Sequence, residues 1–259
     1  MRLLANLLLA CLLTSALIQI SNAQGGISIY WGTYGSDYYD EKSLVETCET
    51  GLYSIVNVGS VSQFGNGLDI EIDLSITALQ IHLIAPMLAN TFNLFGDDTV
   101  FHDYLARYLK DYSEEGTKPV YLSVAPQCPY PDDYLEDVID TGVFDYVWVQ
   151  FYQTQQYRNA TCEYTTEAGA DNLLSAWNTW TSSLKESEKL FLGLPASTNA
   201  SFTGYVPADV LINQILPEIK DTSRYGGVML WNRYYDIKSN YSSSIVDHVN
   251  LELIRQKTD

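Results

Sequence analysis

Basic residues are scarce: 14 Lys and Arg stand against 32 Asp and Glu in 259 residues, a net charge of −18 at neutral pH. That balance repels phosphate backbones and anionic lipid surfaces, so neither nucleic acid nor a membrane is an expected partner. The acidic residues are scattered, as in Glu114-Glu115, Asp132-Asp133 and Glu186-Ser187-Glu188. Such short clusters read as a solvated surface rather than a binding tail. Histidine is rarer still. His82, His102 and His248 are far apart and lack metal-ligand spacing, and the chain has neither a nucleophile elbow nor a phosphate loop. No metal and no cofactor is expected.

Long hydrophobic runs are also missing. The most apolar stretch is at the start, where Arg2 precedes Leu7–Leu13 and Leu17–Ile20, and Ser21-Asn22-Ala23 closes the run before Gln24. A spanning helix needs roughly 20 consecutive apolar residues. This stretch falls short and ends in small residues, so residues 1–23 read as a cleaved secretory signal. Residues 24–259 contain no Pro/Gly/Ser-rich linker and are long enough for one substantial domain. A secreted protein, extracellular or vacuolar, is expected.

Cysteine is sparse too. Of four, Cys11 leaves with the signal, and an odd three remain for an oxidising compartment. Cys128 and Cys162 are expected to pair. Cys48 is then a free thiol, an intermolecular link, or the survivor of a segment that has been lost. Three Asn-X-Ser/Thr sequons, at Asn159, Asn199 and Asn240, fit passage through the secretory pathway as glycosylation sites.

What is present is alternation. Short β-rich runs at Gly26–Trp31, Tyr53–Val58, Pro119–Ala125, Tyr146–Tyr152, Lys189–Pro195 and Gly226–Trp231 alternate with amphipathic stretches, the pattern of parallel strands joined by helices. Val100–Tyr112 places Phe101, Leu105, Tyr108 and Leu109 on one helical face; Ala170–Leu184 and Pro207–Lys220 keep the same period, and Ser242–Arg255 reads as a closing helix. Six strands are two fewer than the commonest closed architecture of this pattern. The shortfall falls in 73–98, which reads as one apolar helix broken near Pro86 and followed by a turn at Gly96.

Seven blocks carry a family resemblance: Gly25–Gly32, Phe64–Gly67, Asp103–Leu109, Ala125-Pro126-Gln127-Cys128-Pro129, Phe144–Tyr152, Phe191–Ala196 and Tyr225–Trp231. In order and spacing they closely resemble the plant class III chitinases, the acidic, hevamine-like endochitinases of glycoside hydrolase family 18. The resemblance runs from about Gly25 to Val249 and is interrupted in the middle. It implies a (β/α)8 TIM barrel, here incomplete with about six strand–helix units, and a sugar site at the carboxyl ends of the strands. It also implies substrate-assisted chemistry, in which a glutamic acid protonates the glycosidic oxygen while the sugar's own N-acetyl group attacks.

By the same resemblance, Tyr152 matches the tyrosine that steadies the acetamido carbonyl, and Gln150 is a second polar contact on its strand. Trp231 would be the apolar floor under the sugar, and Asp73 falls where relatives line the cleft. Two of these have a structural reading beside the functional one: Trp231 as a plug of the barrel top and Tyr152 as a buried core tyrosine. The acid motif Asp-Gly-x-Asp-x-Asp-x-Glu of the fourth strand has no counterpart, and neither has the Ser-x-Gly-Gly strand before it. The expected partner of Cys48 lies in the same absent stretch, so a single deletion explains both. Thr33-Tyr34-Gly35 and Val58-Gly59-Ser60 also depart from the family at sugar-facing positions.

Asp69-Ile70-Glu71-Ile72-Asp73 alternates acid with isoleucine, which on a strand sets carboxylates about 7 Å apart along one face. It follows the Phe64–Gly67 loop, so it reads as a solvated loop after strand two rather than a replacement acid. The expected function is therefore binding of β-1,4-linked N-acetylglucosamine (chitin) oligomers by a monomer, with hydrolysis impaired or lost. The alternatives are an active endochitinase with a substitute acid, or an inhibitor or storage protein without sugar affinity. The last would dock a protein partner through Leu79–Leu88.

Overall fold

The computed structural model of the chain describes residues 25–32, 41–58, 60–65, 68–73, 90–94, 106–107, 110, 120–154, 161–185 and 188–249. The elements in chain order are β1 (Ile27–Trp31), α1 (Leu44–Glu49), β2 (Ile55–Val58), β3 (Ser60–Gly65), β4 (Leu68–Asp73), β5 (Asn90–Leu94), β6 (Val120–Val124), α2 (Glu136–Ile139) and β7 (Tyr146–Gln150). They continue with α3 (Asp171–Ser183), β8 (Lys189–Pro195), α4 (Ala208–Val210), a π-helical turn (Leu211–Ile215), α5 (Leu216–Ile219), β9 (Tyr225–Trp231), α6 (Arg233–Ser239) and α7 (Tyr241–Val249). The expected signal segment, Asn159 and Leu79–Leu88 lie outside the described residues, as does most of the expected helix 100–112, of which Ala106, Arg107 and Lys110 are helical.

Seven parallel strands form one sheet in the order β2-β1-β9-β8-β7-β6-β5. The first and last strands of the sheet's chain order, β1 and β9, pair directly, with Ser28 opposite Met229. That pairing brings the first and last strands of the sheet together, as in a barrel seam, while the sheet stays open elsewhere. The two ends of the sheet are β2 and β5, and no ladder joins them among the described residues. The result is an incomplete barrel of parallel strands flanked by helices.

All six expected strands are present. The seventh, β5, corrects the reading of 73–98 as a helix, since Asn90 to Leu94 pair residue by residue with Val120 to Val124. Asn90-Thr91-Phe92-Asn93-Leu94 has little strand signature of its own, and the hydrogen-bonding edge of β6 decides its conformation. A second correction concerns Asp69–Asp73. These residues are not a loop but part of β4, which pairs antiparallel with β3 and follows β2 as a separate two-stranded sheet.

Side chains alternate along the strands to make two cores. Facing the helices are Ile27, Ile29, Val147, Val149, Leu190, Leu192, Leu194, Val228 and Leu230, packed with Leu173, Trp177 and Trp180 of α3 and with Ile245 and Val249 of α7. The i, i+4, i+7 spacing of the three α3 residues places them on one stripe. Inside the ring lie Tyr30, Trp148, Phe191 and Met229 with Ala125 and Tyr152, bordered by Tyr146, Ile55 and Trp231. Trp148 stacks on Tyr146 at 5.3 Å and meets Phe191 edge-on at 4.4 Å. Aromatic bulk thus fills the interior, and Gly193 leaves room for it: a Cβ there would sit 2.4 Å from the Val149 carbonyl oxygen and 2.8 Å from Met229 Cε.

The expected continuous helix at 207–220 is interrupted. Pro217 has no N–H to donate to the preceding turn, and the chain ahead of it widens into the π-helical segment Leu211–Ile215. Leu211, Ile215, Leu216 and Ile219 remain buried across the change of pitch.

Candidate functional site

Strands β1, β7 and β9 deliver aromatic residues to their carboxyl ends. Tyr30 is the penultimate residue of β1 and Trp231 the last of β9, and because those strands are neighbours their rings meet, with centroids 5.3 Å apart and planes tilted by 59°. Tyr152 follows the end of β7 and is buried in the inner cluster. Burial, with a contribution from Tyr30, pushes its hydroxyl pKa well above the ordinary tyrosine value. Tyr152 is therefore a neutral hydroxyl at any physiological pH, able to donate a hydrogen bond.

Gln150 closes β7 and is half-buried. Its Nε2 donates to the Ala125 carbonyl at 2.6 Å and its backbone N–H to the Pro126 carbonyl at 2.8 Å, which ties its amide to the end of β6. Trp231 is half-buried, as a residue at the mouth of the ring must be if it is to touch a ligand. Asp73 stands elsewhere in the topology: it ends β4 opposite Ser60, on the hairpin that is not hydrogen-bonded into the seven-stranded sheet. The structure thus brings Tyr152, Gln150 and Trp231 to one end of one sheet and places Asp73 on a separate one.

The loops at this end are tied down. Cys128 and Cys162 form the expected disulfide, linking the segment after β6 to the one after β7, and Trp180 Nε1 of α3 donates to the Cys128 carbonyl at 2.8 Å. Next to Cys162, Glu163 is buried; burial raises its carboxyl pKa while hydrogen bonds from Thr203 and Gln153 lower it. Asp132 binds three backbone N–H groups, of Gln127, Tyr134 and Leu135, at 2.6 to 2.9 Å and so fixes the turn after Cys128. Cys48 is free and half-buried on α1, its thiol pKa raised by burial. Asn199 and Asn240 are exposed, and the sequon hydroxyl of Ser242 is buried on Asp236 at 2.7 Å.

A second buried acid at this end of the sheet, like Glu163, is not singled out in the sequence. Glu41 is fully buried, and a carboxylate oxygen accepts from the backbone N–H of Gly32, just past β1, at 3.1 Å. Desolvation raises its pKa to about 7, against the lowering effects of the Gly32 hydrogen bond, Arg233 and the Tyr234 backbone. Nothing local marks Glu41 in the sequence; among the described residues it meets the end of β1 at Gly32 and the start of α6 at Arg233 and Tyr234. Nearby, Asp236 accepts from the Tyr53 hydroxyl, from Ser242 N–H at 2.7 Å and from Ser242 Oγ at 2.7 Å, and Arg233 lies 3.7 Å away. β5, beside β6 in the ring, carries no carboxylate at all. Among the described residues, no three His, Cys, Asp or Glu side chains gather as a metal site.

No family model matches the chain. It is 38% identical to an acidic endochitinase of Vitis vinifera over 304 residues, which cover 93% of this chain and 97% of the relative. That alignment is longer than the chain's own 259 residues, so the relative carries residues with no counterpart here. Among solved structures, a chitinase from Ipomoea carnea, ICChI, superposes with a TM-score of 0.74 at 33% identity, covering 87% of this chain and 100% of that one. A tamarind chitinase-like lectin gives 0.69 at 28% identity, covering 85% and 98%. With this identity over nearly its whole length, and with the barrel strands in their places, the chain belongs to the plant acidic endochitinases, the class III group of glycoside hydrolase family 18.

Proposed function

We propose that this protein is a secreted, extracellular or vacuolar chitinase-like protein that binds β-1,4-linked N-acetylglucosamine oligomers without the hydrolysis of its relatives. In this reading the neutral Tyr152 hydroxyl donates to the acetamido carbonyl, Gln150 adds a polar contact, Trp231 underlies the sugar ring, and Asp73 lines the cleft. Aromatic surface with a few polar groups at one end of the sheet suits a sugar with an acetamido arm. The Cys128–Cys162 disulfide supports a secretory route, since such bonds persist in oxidising compartments.

The composition of β5 carries the loss of hydrolysis. The family's acid belongs to its fourth barrel strand, and the strand that here lies alongside β6 reads Asn-Thr-Phe-Asn-Leu. Loss of a positioned general acid removes about 10²- to 10⁴-fold in rate, and loss of the aspartate that orients the acetamido group removes more. A lectin among the structural neighbours supports sugar binding separated from cleavage on this scaffold.

The test sets binding against turnover on the same preparation. Chitin oligomers titrated calorimetrically should bind, while a fluorogenic chitobioside should be hydrolysed no faster than in a buffer control. Hydrolysis at the rate of an intact acidic endochitinase would establish the active-enzyme alternative instead. Absence of binding to any oligomer by folded protein would leave the inhibitor or storage reading.

A further inference from the structure

The loop between β8 and α4 carries Phe202, which is 63% exposed, against 41% for Val45 and 37% for Tyr130, the other large hydrophobic side chains exposed among the described residues. A lone exposed apolar side chain is ordinary on a protein surface. This one is carried on a loop whose backbone is hydrogen-bonded to the chain next to Tyr152. Its backbone N–H donates to the Gln153 carbonyl at 2.8 Å, one residue beyond Tyr152. Thr203 Oγ1 accepts from the Gln153 N–H at 3.2 Å, and Ser201 Oγ donates to the Thr203 carbonyl at 2.7 Å. The buried carboxyl of Glu163 is hydrogen-bonded to both Thr203 and Gln153.

Gly204 completes the attachment. It has φ +80°, and a Cβ there would lie 2.2 Å from the Phe151 carbonyl oxygen and 2.7 Å from Tyr152 Cα. Only glycine lets the Phe202 loop press this closely on the chain at Tyr152. The backbone that carries this exposed ring is thus held at the carboxyl-end rim by contacts with the segment that bears Tyr152. An aromatic side chain carried on an ordered backbone can pack on a sugar face at a lower ordering cost than one on a loose loop, because the backbone entropy is already lost.

We propose that Phe202 is an added sugar-stacking platform, which extends the site outward from Tyr152 and holds a further N-acetylglucosamine residue of a long oligomer. The inference rests on the sugar-binding reading above and deepens it: the site prefers long chains. A short oligomer that fills the pocket at Tyr152 and Trp231 gains nothing from Phe202.

Calorimetric titration of wild type, Phe202→Ala and Phe202→Trp with the chitin disaccharide and hexasaccharide tests this. Partial burial of one aromatic ring corresponds to about tenfold in affinity. The expected result is an approximately tenfold weaker hexasaccharide complex for Phe202→Ala, an unchanged disaccharide complex, and wild-type behaviour for Phe202→Trp, with equal Tm for all three. Equal hexasaccharide affinity in wild type and Phe202→Ala overturns the platform and leaves the sugar site standing, as does an equal loss for both lengths. If folded wild type binds neither oligomer, the platform and the binding reading fall together.

Discussion

Tyr30 and Trp231 hold their rings 5.3 Å apart across the seam where β1 meets β9. The contact joins the start of the domain to its end and forms part of the mouth of the ring. Trp231→Ala should therefore weaken chitin-oligomer binding by about tenfold or more, as loss of a central aromatic anchor does, while Trp231→Phe keeps most of the affinity. Intrinsic fluorescence titration measures both. Unchanged affinity in Trp231→Ala would make this side chain a plug of the barrel top.

The buried carboxyl of Glu41 predicts a pH dependence of stability. Its folded pKa of about 7 lies above the ordinary 4.5, so the folded state binds the proton more tightly than the unfolded state does. The stabilisation is then fully present below about pH 4.5 and lost as the pH rises through about 7. Thermal melts of wild type and Glu41→Gln across this window should show the wild-type Tm falling more steeply with pH. Parallel curves for the two proteins would count against Glu41 as the titrating group.

Removing the Cys128–Cys162 disulfide frees a loop whose ends are 34 residues apart. The chain-entropy estimate for such a loop is about 3–4 kcal/mol. A Cys128→Ala/Cys162→Ala double variant should lose that much stability by urea denaturation. Its oligomer affinity should fall too, since the bond tethers the segments after β6 and β7. A stability change below about 1 kcal/mol would show that the Trp180 and Asp132 hydrogen bonds hold this region without it.

Gly193→Ala should cost about 3 kcal/mol, toward the upper end for overpacking, because the added methyl meets the Val149 backbone carbonyl as well as Met229. The flexible Met229 can yield; the β7 backbone cannot without breaking its ladder with β8. Denaturation midpoints of Gly193→Ala with wild-type and Met229→Ala partners separate the two. Full rescue by Met229→Ala would remove the backbone from the explanation.

Much of this protein was written in its one-dimensional pattern. Parallel strands buried on both faces read as near-continuous apolar runs, so β1, β2, β6, β7, β8 and β9 were visible, as were the helices around Trp177 and Ile245. The absence of the acid motif was legible against the family resemblance, and the expected pairing of Cys128 with Cys162 is the one the folded chain makes. Three features depended on contacts distant in the chain and required the folded molecule. Asn90–Leu94 is a strand because β6 offers it an edge, and Glu41 is a weak acid because the fold buries it where it meets the end of β1 and the start of α6. The Phe202 loop lies against the chain at Tyr152 because Gly204 and Gln153 hold it there. Local composition sets periodicity and motif; hydrogen-bonding edges, desolvation and rim geometry arise only when distant segments meet.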